Sequence, residues 1–499
     1  MSGFAYFLAV NLFLSTTASE ILVGVMPQGK SHAASFMPLL QKLIQQGHNV
    51  TIYMENYGVG SLKGHANEWF INVTGHKDPF EDMEFARGIW YNMYTFMSHV
   101  KPFRYGSDSC THVLNDHRDQ FELIRNHGWD LILTDSLFAV CAYGLALLSP
   151  AHHIVMHSTD VESGYGISRG YSRNYLTMPT YFADFDDAYY EMTHFKDRLR
   201  NAYEWLGMSS ALKIASNRFM QKALSPILQN FDISNYYADS AYIFSDMPLS
   251  VYTPMATNNE LFMYGAYCQP YRSLTRELAE FVEDPSSRGT ILIAFGTIVN
   301  WSAAPQQTQQ AIADALNELS EYRIIWTHSA CKHHLKRHIK LMQWMPQNDL
   351  LNHNRTKLFH TANESISSTK EGICATVPML FIPLFAEQLR NAWLIERNGC
   401  GKTINKVNLT KDSLVHSMRQ LITEPRYKEN MQRLRAVYDD SPMPAIDEAA
   451  FKMNRLLKFG GRMPQLFYTR SINLSYFTVL NIDLIILIPL SLIFALCIK

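Results

Sequence analysis

"EILVGVMPQGKSHAASFMPLLQKLIQQGHNVTIYM", residues 20–54, decides the fold. "EILVGVMP" is a short apolar run closed by Pro27. "ASFMPLLQKLIQQG" then sets Phe36, Leu39, Leu40, Leu43 and Ile44 on one face at helical spacing, and Gly47 ends the helix. "HNVTIYM" is β-branched and follows at once. An apolar strand, one amphipathic helix and a second apolar strand make a βαβ unit, whose strands are parallel and covered on both faces.

The pattern repeats outward from there. "WDLILTD" (129–135), "LFAVCAYGLALL" (137–148) and "HHIVMHST" (152–159) give strand, helix and strand, and "AYIFSD" (241–246) closes the first half. Between them lie aromatic and Met-rich helical stretches, residues 181–207 and 211–224. Three prolines mark 247–274 as a less regular segment, and alternation resumes with "GTILIAFGT", "PQQTQQAIADALNELS", "YRIIWTH", "LMQW", "TKLFH" and "PMLFIPLF", then two polar-faced helices within 410–440. The fold class expected is α/β, with two doubly wound Rossmann-like domains, residues 20–250 and 275–445, joined by a linker at 251–274. Ligands belong at the C-terminal strand edges facing the cleft.

Composition agrees. A chain of 499 residues, 47% hydrophobic, can fill two cores, and 44 Lys+Arg against 45 Asp+Glu leave no basic stripe for nucleic acid. The basic stretches at 332–340, 426–435 and 458–462 read as solvated surface, His334 and His338 included. Seven cysteines show no CxxC or zinc spacing; Cys141 and Cys374 lie in apolar runs and are expected in the core, with any pairing undefined. No metal site is indicated. "GISRG" (166–170) matches a nucleophile elbow by letter but has no strand before it.

Both ends look like addresses. "FAYFLAVNLFL" followed by "STTAS" resembles a secretory signal over residues 1–19. Residues 446–475 connect to an apolar run, 476–498, interrupted by Asn481 and Asp483 and long enough to be expected as a single transmembrane helix. Sequons stand at Asn49, Asn72, Asn300, Asn354, Asn363, Asn408 and Asn473, with Asn49, which opens a strand, expected to be buried.

"WMPQNDLLNHNRTKLF" and "KEGICATVPMLFIPLFAEQLRNAWL", within 344–394, with "ILIAFGTIVNW" (291–301) before them, resemble the donor-binding signature of the animal UDP-glycosyltransferases, the UDP-glucuronosyltransferase family. The likeness extends to the opening βαβ unit, to "WDLILTD" and to both ends. It implies a GT-B fold whose first domain binds a small lipophilic acceptor and whose second binds a UDP-sugar as co-substrate. It also implies no resident cofactor or metal, and a single-pass type I membrane protein with its catalytic domains in the endoplasmic reticulum lumen. The oligomeric state, homo-oligomer included, stays open. So does the donor sugar, glucuronic acid or glucose.

Residue chemistry fits beside that likeness. Trp344 can stack on a flat base, unless it is simply a core aromatic. Gln347 can bond base or ribose, and Glu371 matches the family's ribose acceptor. Glu387 and Gln388, at the end of an apolar strand, match the pair that binds sugar hydroxyls, with Glu in place of the commoner Asp. Gly296 and Thr297 close the strand "ILIAFGT". His32 matches the general base that takes the acceptor proton, and Asp135 the carboxylate that orients it. A strand-end Asp is otherwise an N-cap for the next helix.

One stretch departs from the family. "LFHTANESISSTKEG" (358–372) has no glycine before its last residue. Counting back from Glu371, Ser368 and Ser367 occupy the expected serine places, but Asn363, Glu364 and Ser365 stand where the family has His-Gly-Gly to cradle the diphosphate. Glu364 would repel it, and His360 or Asn363 are the candidate substitutes. The sequence thus leaves open a working inverting transferase with a rebuilt loop, a donor-impaired relative that binds lipophilic molecules without turnover, and a misjoined coding segment.

Overall fold

A computed structural model describes residues 18–56, 62, 66–73, 82–91, 93, 95–158, 191, 193–248, 258–296, 299–328, 333–361, 366–385, 387–469, 474–479 and 481–497. The βαβ unit forms as its periodicity requires. Strands β1 (Glu20–Gly24) and β2 (Asn49–Asn56) pair in parallel, and the helix Lys30–Gln45 between them buries Phe36, Leu39, Leu40 and Leu43. Each such side chain removed from water contributes about 1.5–3 kcal/mol.

Five further strands complete the first sheet: β3 (Asn67–Asn72), β4 (Leu131–Asp135), β5 (His152–His157), β6 (Tyr242–Ser245) and β7 (Leu261–Met263). All pairings are parallel, in the order β3-β2-β1-β4-β5-β6-β7. The second sheet comprises β8 (Thr290–Ala294), β9 (Arg323–Thr327), β10 (Ile339–Met342), β11 (Thr356–Thr361), β12 (Met379–Phe381) and β13 (Gly401–Thr403), in the order β10-β9-β8-β11-β12-β13. In each sheet the chain reverses its direction of winding once, between β1 and β4 and between β8 and β11. Those reversals open the crevices where doubly wound sheets bind ligands.

Two helices are exchanged across the domains. Met83–Trp90, from the first half, buries Phe85, Ala86, Ile89 and Trp90 in the second domain's core, and Trp90 Nε1 donates to the Asn300 carbonyl at 3.2 Å. Ala445–Lys458 returns to the first domain, where Ala449, Ala450, Met453 and Leu456 join the core and Asp447 pairs with Lys42 at 2.6 Å. The expected linker also contributes β7, which pairs with β6.

Several expectations are corrected. Among the described residues no helix is long and apolar enough to cross a membrane. The apolar run expected to form one transmembrane helix is divided at Asn481, whose φ of +52° is not helical, into Tyr476–Val479 and Ile482–Cys497. The longer piece has 16 residues, about 24 Å at 1.5 Å per residue, against a hydrocarbon core of about 30 Å. Asn49 is exposed rather than buried and donates to Glu20 Oε1 at 2.6 Å. His338 is buried rather than solvated, its Nε2 bonded to the Leu316 carbonyl at 3.0 Å, whereas His334 is exposed. Cys141 is buried as expected but bonded to Cys110; half-buried Cys374 is bonded to Cys268. "GISRG" lies outside the described residues.

Candidate functional site

At the first winding reversal, the turn after β1 carries Gln28 with φ +58° and leads into the helix that begins at Lys30. His32 therefore sits in that helix's first turn. Its Nδ1 is 2.8 Å from Oδ2 of Asp135, the last residue of the neighbouring β4. Asp135 is fully buried. Its Oδ1 accepts from the Leu137 amide at 3.2 Å and its Oδ2 from the Met26 amide at 3.4 Å. It does not cap the next helix, which starts at Val140 after Ala139. Ser158, just beyond β5, brings its Oγ to 2.8 Å from the same Nδ1. An imidazole that carries its proton on Nδ1 has the Nε2 lone pair free to accept one.

At the second reversal, Gly296 follows β8 with φ +70°, a left-handed turn that glycine adopts at no steric cost. Trp344 lies just past β10 with 76% of its surface exposed, which excludes the core-aromatic reading and leaves its indole face open. Gln347 begins a short helix, and its Nε2 donates to Glu371 Oε2 at 2.6 Å and to Ser368 Oγ at 3.2 Å. Ser367, Ser368 and Glu371 all belong to the helix Ile366–Cys374 that follows β11. Burial raises the Glu371 carboxyl above its ordinary range, opposed by the Gln347 hydrogen bond and the Lys370 charge. Gln347, Ser368 and Glu371 thus meet beyond the C-terminal ends of β10 and β11, and Trp344 stands three residues before Gln347. Thr297 and Asn363 lie outside the described residues.

The remaining pair is arranged differently. Glu387 stands at the N-cap position of the helix Gln388–Arg397 without a side-chain capping hydrogen bond. Gln388 turns its carbonyl oxygen back onto the chain, accepting from the Leu384 amide at 2.7 Å and the Phe385 amide at 3.3 Å. Lys406 donates to the Leu384 carbonyl at 2.5 Å and also to the Ile89 carbonyl of the exchanged helix Met83–Trp90, tying this turn to that helix. His360 is no substitute for a phosphate-binding histidine. It is fully buried in β11, its Nδ1 bonds the Leu380 carbonyl at 3.0 Å, and burial lowers its pKa to about 4. Of the aromatic and Met-rich stretches, residues 181–190 and 192 lie outside the described residues. Phe195, Leu199, Tyr203 and Leu206 of Phe195–Ser210 form an exposed apolar row.

Sequence reasoning missed three residues here: Ser158, Asp246 and Lys370. Asp246 directly follows β6, and Lys370 Nζ reaches its Oδ1 at 2.6 Å from the donor-side helix. A signal existed for two of them, since "HHIVMHS" and "AYIFSD" end apolar strands in polar residues just as "WDLILTD" does.

Comparison with known proteins accords with this geometry. The family model described as UDP-glucoronosyl and UDP-glucosyl transferase matches residues 21–497. Human UDP-glucuronosyltransferase 1A8 is 27% identical over 483 residues, covering 91% of this chain and 86% of its own. Mouse UDP-glucuronosyltransferase 1A6 is 24% identical over 482 residues, covering 92% and 86%. Among solved structures, the glycotransferase of kitacinnamycin superposes with a TM-score of 0.60 at 16% identity, over 88% of this chain and 98% of its own. The UDP-glucose: anthocyanidin 3-O-glucosyltransferase in complex with UDP gives 0.58 at 16% identity, over 89% and 100%. These structures share the GT-B fold, and the chain belongs to the UDP-glucoronosyl and UDP-glucosyl transferase family.

Proposed function

We propose that this chain moves a hexosyl group, glucuronic acid or glucose, from a UDP-sugar to a hydroxyl of a small lipophilic acceptor, with inversion at the anomeric carbon. The observation that carries the reading is the 2.8 Å contact between His32 Nδ1 and the buried Asp135, placed at the winding reversal of the first sheet. Nε2 of His32 takes the acceptor proton as the acceptor oxygen bonds the anomeric carbon. The bond from that carbon to the diphosphate breaks, and UDP leaves with its electron pair. Asp135 holds the imidazole in the tautomer with Nδ1 protonated and stabilises the cation that forms. Trp344 offers a stacking face for the uracil, and the Gln347–Glu371 pair offers acceptors for ribose hydroxyls. The hydroxyls of Ser367 and Ser368, in the first turn of a helix, face the leaving diphosphate where the helix dipole favours negative charge.

Residence in the secretory pathway belongs to the same proposal. It is supported by the bonds Cys110–Cys141 and Cys268–Cys374, which suit an oxidising compartment. A second reading, a binding protein without turnover, is favoured by Glu364 in the diphosphate loop and by the inward carbonyl of Gln388.

The test is calorimetric titration of UDP into the purified chain, followed by UDP-release assays with UDP-glucuronic acid and UDP-glucose over a panel of lipophilic phenols. Micromolar UDP binding with turnover abolished in His32→Ala supports the transferase. Acceptor binding without UDP binding, in folded protein, overturns it in favour of the second reading.

A further inference from the structure

The helix Ile366–Cys374 is fastened to the rest of the molecule through Lys370 and Cys374. Lys370 and Asp246 are both buried, and they come from opposite domains. Besides its 2.6 Å contact with Asp246 Oδ1, Lys370 Nζ lies 3.4 Å from the Asp246 carbonyl oxygen and 4.1 Å over the ring of Tyr267. Tyr267 is itself anchored to the first domain through its hydroxyl, which donates to the Ser35 carbonyl at 3.2 Å. One turn further along the helix, Cys374 is bonded to Cys268, beside Tyr267.

On the first-domain side, the Asp246 amide donates to the carbonyl of His157, the last residue of β5, at 2.8 Å. Asp246 therefore lies at the C-terminal sheet edge that also carries Asp135, two strands away by way of β5. The Tyr264 hydroxyl, its pKa raised first by burial and then by the charges of Asp246 and Asp135, is within electrostatic reach of both.

A buried ion pair is a poor means of gaining stability, because desolvation of both charges offsets their attraction. What such a pair supplies is a fixed direction and register. Interfaces between domains of one chain otherwise tend to be polar and to permit relative motion. Lys370 and Glu371 are adjacent on one helix and so point about 100° apart. Lys370 reaches into the first domain while Glu371 meets Gln347. Holding Lys370 fixes the helix in rotation and in distance from the other sheet.

We propose that Lys370 and Asp246 form an interdomain positioning pair that holds Glu371 and the donor-side serines at a set distance from the His32–Asp135 dyad. The proposal rests on the transferase reading for its catalytic meaning but not for its physical test. Neither residue touches substrate; both act through the helix.

The test uses the full chain with both charges removed together, Asp246→Leu with Lys370→Met, since a single substitution leaves one buried charge uncompensated and endangers folding. Circular dichroism establishes the fold, and hydrogen exchange reads amides 366–374. The expected result is exchange faster by about tenfold or more in this segment, with little change in β1 or β8, because its local opening is no longer opposed by the pair. UDP affinity should change less than about threefold while kcat falls by about tenfold to a hundredfold at nearly constant donor KM, as expected when two bound reactants are misaligned by about 1 Å. Lys370→Arg, which keeps the charge, should restore most of the turnover. Unchanged exchange in the folded double variant overturns the proposal, and so does a loss confined to KM with kcat intact. Absence of UDP binding in the parent chain would instead refute the transferase reading, and the exchange comparison would still decide whether the pair holds the helix.

Discussion

Asp135→Asn is the substitution that tests the proposed chemistry most directly. The His32 ring has two neighbours at Nδ1, Asp135 Oδ2 and Ser158 Oγ, each at 2.8 Å. An ionised carboxylate can only accept, so it selects the tautomer with a proton on Nδ1 and a free lone pair on Nε2. An asparagine can turn its amide toward Nδ1, and Ser158 can then also donate there, which moves the ring proton to Nε2 and removes the base. The buried side chain is nearly isosteric, and its Oδ1 can still accept from the Leu137 amide at 3.2 Å, so the fold should persist. General-base catalysis contributes typically 10²–10⁴-fold. The expected fall in kcat is about 10³-fold, about 4 kcal/mol at 1.36 kcal/mol per tenfold. The assay is UDP release at saturating donor and acceptor, with UDP affinity measured in parallel by calorimetry. Turnover within tenfold of the parent, at unchanged UDP affinity, would refute the assignment of Asp135 as the orienting carboxylate. Ser158→Ala should by contrast cost less than about fivefold, since the Nδ1–H keeps the Asp135 carboxylate as its acceptor when the Ser158 oxygen is gone.

Further outcomes are expected elsewhere. Trp344→Ala should weaken UDP binding by about 1–3 kcal/mol, the usual worth of base–aromatic stacking. Because the side chain is 76% exposed, the melting temperature should hardly move, and a large thermal shift would show a structural role instead. Glu55 is buried, bonded to Tyr53 Oη at 2.7 Å, and burial raises its pKa from 4.5 to about 7. A folded-state pKa above the unfolded one gives stability that is complete below pH 4.5 and is lost as pH rises through about 7. The loss is on the order of 3 kcal/mol. Denaturant unfolding of the parent should therefore weaken between pH 4.5 and about 7 relative to Glu55→Gln, and parallel profiles for the two would dismiss the shift.

What the sequence determined by itself is whatever depends on neighbours along the chain. Apolar runs of strand length alternating with helical periodicity over 20–54, 129–159 and 289–385 specify two parallel sheets, because a strand covered on both faces must be apolar throughout. The polar residues that close those runs mark the edge where chemistry collects, and it was the resemblance to the family that singled out His32, Asp135 and Trp344 there. Tertiary structure decided what depends on groups distant in sequence. Lys370 meets Asp246 across 124 residues, Cys268 meets Cys374 across 106, and the Met83–Trp90 helix completes the other domain's core. No local pattern encodes those pairings. His360 shows the same limit, for a strand residue's letter does not say that its ring nitrogen is already bonded to a neighbouring carbonyl, nor that of Gln388 that its carbonyl oxygen is bonded to backbone amides. The C-terminal run shows the converse, since its apolar composition suits one long helix and a single left-handed residue, Asn481, divides it. Composition fixes which segments must leave water, while the direction each polar atom faces is settled only when the two sheets close on one another.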